Sequence, residues 1–162
     1  MDISKDSVQR FIYTFFKTIP NSGIRTLNQA GRKSILVDNV YSCVAKTEIE
    51  NILQTNPLLI PPIQNQENPE IADCDDYALQ LKASLTVLYR QKMISTGQII
   101  YPPAVGIVIT QNHALNIVIC ESLPDSQGIY LVDPSMREPY LTENVEESVS
   151  LLKILPINTI YL

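Results

Sequence analysis

Residues 104–133 read AVGIVITQNHALNIVICESLPDSQGIYLVD, and this stretch decides the fold of the chain. Three runs rich in Ile and Val, at 104–110, 113–120 and 128–132, have the composition of β-strands. The pair Gln111-Asn112 is a two-residue connection of the hairpin type, and residues 123–127 form a second turn. The stretch therefore predicts an antiparallel meander of three strands.

The second turn predicts the register of the meander. If this loop is roughly symmetric about Pro124, Cys120 lies opposite Gly128, and position 113 then faces a residue near 133 or 134. Opposed or diagonal neighbours in an antiparallel pair have Cβ atoms about 5–8 Å apart. We therefore expect His113, the only histidine of the chain, to reach the carboxylate of Asp133.

A long helix is predicted to precede the meander and to supply a thiol. Asp73 is a suitable N-cap, and apolar residues at helical spacing run from Cys74 to about Lys92, which indicates packing on a sheet. A thiol in the first helical turn experiences the partial positive charge of the helix N-terminus, which favours the thiolate. We expect Cys74, His113 and Asp133 to meet as the nucleophile, base and orienting acid of an acyl-transfer site.

A proline-rich loop at 56–69 leads into Cys74 and is predicted to form one wall of the cleft. An oxyanion formed at this site needs hydrogen-bond donors. The backbone amide of Cys74 is one candidate, and a side-chain amide from the loop is a second. The loop offers three such side chains, between which the sequence does not decide: Gln64, Gln66 and Asn68.

Three carboxylates, those of Asp73, Asp75 and Asp76, surround Cys74 in the sequence, and their negative charge disfavours a thiolate. Two interpretations remain open. These side chains cap the helix, which is the commoner role of aspartate at a helix start. Alternatively, Asp75 and Asp76 contact a bound Ca²⁺, because hard cations take clustered carboxylate oxygens. The acyl-transfer chemistry itself requires no cofactor.

The N-terminal half carries helical patterns to which we assign no chemistry. Residues 4–19 form an amphipathic helix, within a segment 1–20, that Ser4 or Asp6 can cap. Thr47 and Glu50 have the spacing of a capping box at the start of a short helix. Further predicted elements are a short strand at 34–37 and, in the tail at 145–155 and 157–162, a helix or one more strand.

Length and charge limit the classes of protein. The chain has 162 residues, the size of one domain, so we predict a single domain at 1–162. Its net charge is −5 with scattered basic residues, which argues against nucleic acid or anionic lipid as the main partner. We recognise no signal peptide and no apolar run of membrane-spanning length, so we expect a cytoplasmic protein, with non-classical export left open. The oligomeric state is not predicted.

Three motifs carry a resemblance to a known family. Residues 73–79, with Lys82 in the following turn, resemble the cysteine motif of transglutaminase-like cysteine peptidases. They are still more similar to the papain-like peptidase module of the mushroom chimerolectin (agglutinin C-terminal) group. Residues 113–116 resemble its histidine motif, and residues 130–134 resemble its acidic motif. The resemblance covers about residues 40–162.

The resemblance implies a papain-like α+β fold, in which a helix carrying Cys74 packs on an antiparallel β-sheet carrying His113 and Asp133. It implies hydrolysis of a peptide or protein substrate by a thiolate and, in the chimerolectin group, dependence on calcium with Asp75 and Asp76 as the candidate ligands. This chain differs from the family in having Asp-Pro-Ser at 133–135 where Glu-Pro-Gln is more common. Two other functions remain open: a catalytically silent module that binds peptide or protein, and acyl transfer to an amine.

Overall fold

The fold is described from a computed structural model, which describes residues 1–19, 21–56, 59, 74–111, 113–123, 126–134, 140–142 and 156–162. The helices are α1 (Lys5–Phe16), α2 (Leu27–Lys33), α3 (Lys46–Thr55) and α4 (Cys74–Thr96). The strands are β1 (Asp2–Ser4), β2 (Ser34–Ile35), β3 (Val40–Ser42), β4 (Val44–Ala45), β5 (Val105–Thr110), β6 (Ala114–Leu123), β7 (Ser126–Asp133), β8 (Tyr140–Thr142) and β9 (Ile157–Tyr161).

A mixed sheet of seven strands forms the centre of the fold, with the order β2-β9-β5-β6-β7-β8 and with β4 also paired to β6. The predicted antiparallel meander is confirmed as β5, β6 and β7. The predicted antiparallel sheet is confirmed in part: the sheet is mostly antiparallel, but β2 pairs with β9, and β4 with β6, in parallel. Both parallel partners are short N-terminal strands that return to the sheet through connections containing helices, as parallel pairing requires.

The sheet separates two apolar cores. Ile117 and Ile119 of β6 pack on one side with residues of α1 such as Ile12. Val118 lies on the other side with residues of α3 and α4 such as Leu81. A strand that is buried on both faces reads as a continuous apolar run, which explains the Ile-Val-Ile-Cys sequence at 117–120.

The N-terminal helix is confirmed, with a shorter span than predicted. It begins at Lys5 and ends at Phe16, and Ser4 is its N-cap, whose hydroxyl accepts a hydrogen bond from the Ser7 amide at 3.3 Å. Its stripe of Val8 and Ile12, with Phe16, is fully buried. Residues 17–19 of the predicted span lie beyond the end of the helix, but Ile19 is buried in the same core.

The predicted capping box of Thr47 and Glu50 is wrong. Helix α3 begins at Lys46, directly after β4, so pairing of that strand with β6 sets the helix start. The carboxylate that reaches back to the helix N-terminus is that of Glu48, which accepts a hydrogen bond from the Ala45 amide at 3.2 Å. Glu48 also accepts from the Tyr89 hydroxyl at 2.9 Å and so ties α3 to α4.

Two of the remaining predicted elements fall on described residues. The strand predicted at 34–37 is the shorter β2, and the tail segment 157–162, for which a helix or a strand was open, forms the strand β9. The segment 145–155 lies outside the described residues. Within the described part of the chain, no helix combines the length and the apolar character that a bilayer span needs.

Candidate active site

Cys74 is the first residue of α4, and its sulfur faces the start of β6. The backbone amide of Ala114 donates a hydrogen bond to Cys74 Sγ at 3.2 Å. Burial of Ala78 and Leu81 on the inner side of α4 holds this end of the helix against the sheet. Cys74 is only half-buried, whereas Cys43 and Cys120 are buried. Cys74 is therefore the most exposed of the three cysteines.

His113 lies in the tight turn between β5 and β6, where its backbone is clamped by Thr110. The Thr110 hydroxyl donates to the His113 carbonyl oxygen at 2.9 Å and accepts from the His113 amide at 3.1 Å. The Thr110 amide also donates to the His113 carbonyl oxygen at 3.0 Å. The predicted hairpin is thus present, although Asn112 lies outside the described residues. The sequence analysis assigned no role to Thr110. The only feature that could have indicated one is that a polar threonine ends an otherwise apolar strand.

Asp133 ends β7 and binds the imidazole of His113. The distance between His113 Nε2 and Asp133 Oδ2 is 2.7 Å, and Asp133 is only 8% exposed. The predicted pairing of Cys120 with Gly128 is confirmed. Continuing that register places His113 diagonally across from Asp133, two residues from the directly opposite position. The side chains meet across this diagonal, as neighbours at such spacing can.

These contacts bring three residues that are distant in sequence to one end of α4. The sulfur of Cys74 lies beside the peptide bond that joins His113 to Ala114, and the ring of His113 is bound to Asp133. A thiol, an imidazole and a buried carboxylate in this arrangement can perform nucleophilic chemistry on a carbonyl group. The meeting of Asp133 with His113 was predicted from the length of a single loop.

Asn116 is a second residue of this region to which sequence reasoning assigned no role. It lies on β6, is fully buried, and donates through Nδ2 to the carbonyl oxygens of Ala78 at 2.9 Å and Gly106 at 3.1 Å. The signal in the sequence is that Asn116 is the only polar side chain in the run 114–119. Buried polar groups are costly unless they are bonded, so such a residue indicates a specific contact.

Asp75 and Asp76 are exposed in the first turn of α4, where acidic side chains interact favourably with the helix dipole. Two neighbouring carboxylates supply fewer oxygen ligands than the six to eight that Ca²⁺ takes. Among the described residues, no group of three or more His, Cys, Asp or Glu side chains is arranged to hold a metal ion. Asp73 and the loop amides of Gln64, Gln66 and Asn68 lie outside the described residues, so calcium and the loop oxyanion donor stay predictions.

Burial shifts the pKa of two side chains on α4. Burial raises the pKa of Tyr77, and the nearby Asp76 carboxylate adds to the rise, so the phenol stays neutral at physiological pH. Burial lowers the pKa of Lys82, with a smaller opposing influence of Asp38. The Lys82 ammonium donates to a backbone carbonyl oxygen at 2.7 Å and lies 5.4 Å from the centroid of the Tyr161 ring.

No family model matches the sequence, and no curated protein matches it either. Solved structures with a similar fold include two of a fungal lectin. The complex of the Polyporus squamosus lectin PSL1a with E64 matches with a TM-score of 0.63 and 16% identity, over 99% of this chain and 51% of that chain. The Polyporus squamosus lectin bound to the epitope Neu5Aca2-6Galb1-4GlcNAc matches with a TM-score of 0.57 and 15% identity, over 99% of this chain and 49% of that one.

The chain therefore spans about half the length of the solved structures that it matches. At this level of identity, the likeness concerns the fold alone. Nearly the whole chain resembles about half of the PSL1a chain in its α+β fold, with helices packed on a mixed, mostly antiparallel sheet.

Proposed function

We propose that this chain is a papain-like cysteine peptidase or amidase that hydrolyses peptide bonds with Cys74 as nucleophile, His113 as base and Asp133 as orienting acid. The observation that carries the proposal is the 2.7 Å contact between His113 Nε2 and Asp133 Oδ2, beside a half-buried Cys74 sulfur. The fold adds support, because PSL1a forms a complex with E64, an inhibitor of cysteine proteases.

The bond to Asp133 sets the tautomer of the imidazole. A carboxylate can only accept a hydrogen bond, so Nε2 of His113 carries the proton and Nδ1 holds the basic lone pair. Nδ1 is therefore the nitrogen that takes the proton of the Cys74 thiol. The buried charge of Asp133 then stabilises the imidazolium that results.

Two features near Cys74 favour negative charge on its sulfur. The Ala114 amide donates to Sγ, and the sulfur lies at the N-terminus of the 23-residue helix α4. The carboxylates of Asp75 and Asp76 oppose this charge, but both side chains are exposed, so water and salt screen them. The balance favours a reactive thiolate.

The reaction proceeds through a covalent intermediate. The Cys74 thiolate attacks the carbonyl carbon of the substrate, and the His113 imidazolium then gives its proton to the leaving amine as the C–N bond breaks. The thioester that remains is hydrolysed by a water molecule whose proton passes to His113 Nδ1, and the thiol is regenerated. The Cys74 amide is our candidate donor to the oxyanion, together with one amide from Gln64, Gln66 or Asn68.

Substitution of Cys74 by alanine tests the proposal. In the wild-type protein we expect iodoacetamide to alkylate Cys74 at neutral pH, while Cys43 and Cys120 react only after unfolding, because they are buried. Cys74→Ala should abolish this labelling, E64 adduct formation and hydrolysis of a fluorogenic peptide substrate. Cys43→Ala is the matched control and should retain all three. Equal labelling of the three cysteines at high pH alone would contradict the proposal.

The same assays separate the two other functions. Labelling of Cys74 without any cleavage would indicate a module that binds peptide or protein without turnover. Transfer of the acyl group to an added amine, detected by mass spectrometry of the products, would indicate an acyltransferase. Thermal unfolding with and without Ca²⁺ tests the calcium prediction, because a ligand that binds the folded state raises its stability.

A further inference from the structure

Two polar contacts join α4 to β6 beside the thiol. The Ala114 amide donates to the Cys74 sulfur at 3.2 Å, and the Asn116 side chain donates to the Ala78 carbonyl oxygen at 2.9 Å. From the first contact to the second, the helix advances four residues, which is about 6 Å, and the strand advances two residues, which is about 6.6 Å. The two contacts are therefore separated by nearly the same distance along α4 and along β6.

A third contact continues the same spacing. Lys82, one turn beyond Ala78, donates through Nζ to the carbonyl oxygen of Val105 at 2.7 Å. Val105 pairs with Val118, which lies two residues beyond Asn116 on β6. We call these three contacts, made by the Ala114 amide, Asn116 and Lys82, the α4–sheet ladder.

Asn116 is the central rung of the ladder and the most constrained. Its Nδ2 donates to Ala78 on α4 and also to the Gly106 carbonyl oxygen on β5 at 3.1 Å, so one side chain on β6 holds two other elements. Both partners are carbonyl oxygens, which can only accept, so the orientation of the amide is determined. Asn116 is 0% exposed, and its Oδ1 has no hydrogen-bond partner among the described residues.

The unpaired oxygen indicates what Asn116 contributes. A buried acceptor without a partner lowers the free energy of unfolding, so Oδ1 offsets part of what the two Nδ2 bonds contribute. A leucine of similar size would remove this oxygen, but it would also leave the Ala78 and Gly106 carbonyl oxygens without that donor. What an apolar side chain would not supply is a directional bond that fixes how far α4 slides along β6. The Asn116 side chain is therefore suited to fixing the position of α4 along β6.

We propose that Asn116 is a positioning residue for the peptidase reaction proposed above: by holding Ala78 on the sheet, it fixes Cys74, one helical turn earlier, relative to His113. Nucleophilic attack requires reacting atoms about 3–3.5 Å apart, and a displacement of about 1 Å can cost about 100-fold in rate. The Asn116 bond acts one turn from the thiol, so a shift of Ala78 passes directly to Cys74.

The test compares Asn116→Leu with a matched control. Tyr89→Phe also removes a hydrogen bond between α4 and another part of the fold, the 2.8 Å contact from the Tyr89 hydroxyl to the Cys43 carbonyl oxygen, but fifteen residues beyond Cys74. For both variants and the wild type, three quantities are measured: the thermal unfolding midpoint, kcat and KM for a fluorogenic peptide substrate, and the rate of Cys74 alkylation by iodoacetamide at neutral pH.

In folded Asn116→Leu we expect kcat and the alkylation rate to fall by about 10- to 100-fold, with KM within about twofold of wild type. Tyr89→Phe should leave kcat and the alkylation rate unchanged. A folded Asn116→Leu with wild-type kcat would overturn the proposal, as would losses in both variants that merely follow the folded fraction. If Asn116→Leu does not fold, Asn116→Ala, which also lacks the amide donor, takes its place and should show the same fall in kcat and alkylation rate; full activity in folded Asn116→Ala would overturn the proposal.

The failure of this inference differs from the failure of the proposed function. A wild-type protein whose Cys74 is not selectively alkylated and that cleaves no peptide would overturn the peptidase proposal and this inference together. An active wild type with an equally active Asn116→Leu variant would remove Asn116 as a positioning residue and leave the peptidase proposal intact.

Discussion

At the scale of single residues, His113 is held at two points that act on different parts of it. Thr110 binds its backbone through both the amide and the carbonyl group, and Asp133 binds its ring. The hydrogen bonds of Thr110 fix the position of the His113 backbone, and the carboxylate of Asp133 fixes the rotation and the tautomer of the imidazole. In the reaction proposed above, an imidazole held in this way would lose little conformational freedom when a substrate binds, which is the basis of preorganised catalysis.

Replacement of Asp133 by asparagine tests the contribution of its negative charge. The asparagine oxygen can still accept a hydrogen bond from Nε2 of His113, but the side chain has no charge with which to stabilise an imidazolium. Because hydrogen bonds to charged groups contribute about 1.5–3 kcal/mol, we expect kcat of the proposed reaction to fall by about 10- to 100-fold, with little loss of substrate binding.

The control for this substitution is Asp6→Asn, which makes the same change of charge at an exposed position in the first turn of α1. It should leave kcat at the wild-type value. Steady-state kinetics on both variants, with circular dichroism to confirm folding, decides the matter. Equal kcat values in the two variants would show that the carboxylate of Asp133 has no part in the reaction.

At the scale of elements, the sequence predicts long strands better than short ones. The register of β6 with β7 follows from one loop of known length, so Cys120 could be placed opposite Gly128. The two-residue strand β4 has no such local signal, because its parallel pairing with β6 joins Val44 to a residue far along the chain. The start of α3 was mispredicted for the same reason, since that strand, and not the Thr47 side chain, sets it.

Substitution of Gly106 by alanine tests how closely β5 and the end of the chain beyond β9 approach each other. A Cβ atom at this position would lie 2.6 Å from the Tyr161 carbonyl oxygen and 2.7 Å from two side-chain carbon atoms of Leu162. Because backbone cannot move aside cheaply, we expect Gly106→Ala to lower the free energy of unfolding by about 1–3 kcal/mol. The change should also disturb the oxygen that Asn116 binds, and so reduce the rate of Cys74 alkylation.

Gly97 provides the matched control for this substitution. It has a φ of +67° and nothing within 4 Å of an added Cβ, so Gly97→Ala costs only backbone strain, about 1–2 kcal/mol. Urea denaturation measures both losses, and iodoacetamide labelling separates the variants because Gly97 lies just beyond the end of α4 opposite to Cys74. A Gly106→Ala protein that labels like Gly97→Ala would refute the link between β5 and the thiol.

At the scale of the whole molecule, the sequence predicted that Cys74, His113 and Asp133 lie close together, but it did not predict the hydrogen bonds that hold the surrounding backbone in place. Cys74, His113 and Asp133 could be identified because a thiol, an imidazole and a carboxylate each have distinctive chemistry and a place on a regular element. Thr110 and Asn116 act through hydrogen bonds to backbone groups of other elements. Such partners depend on how helix and sheet are stacked, and no local pattern specifies that stacking.

The packing of α4 on the sheet also affects how stability depends on pH. Burial lowers the pKa of Lys82 below its ordinary value of 10.5, with Asp38 opposing the shift. Between the lowered value and 10.5, the unfolded chain binds more protons than the folded one, so the contribution of Lys82 to the free energy of unfolding rises with pH. Tyr77 acts in the opposite sense, because burial raises its pKa above 10.0 and its contribution falls as pH rises past that value.

Lys82→Met isolates the first of these contributions. We expect the free energy of unfolding of the wild type, minus that of Lys82→Met, to increase from neutral pH toward 10.5, because only the wild type is relieved of a buried ammonium as pH rises. Urea denaturation at several pH values measures this difference, and Tyr77→Phe serves as the variant with the opposite slope above pH 10. If the difference for Lys82→Met stays constant with pH, the Lys82 ammonium is solvated in the folded protein. The 2.7 Å contact of Lys82 with Val105 in the α4–sheet ladder would then not be a desolvated hydrogen bond.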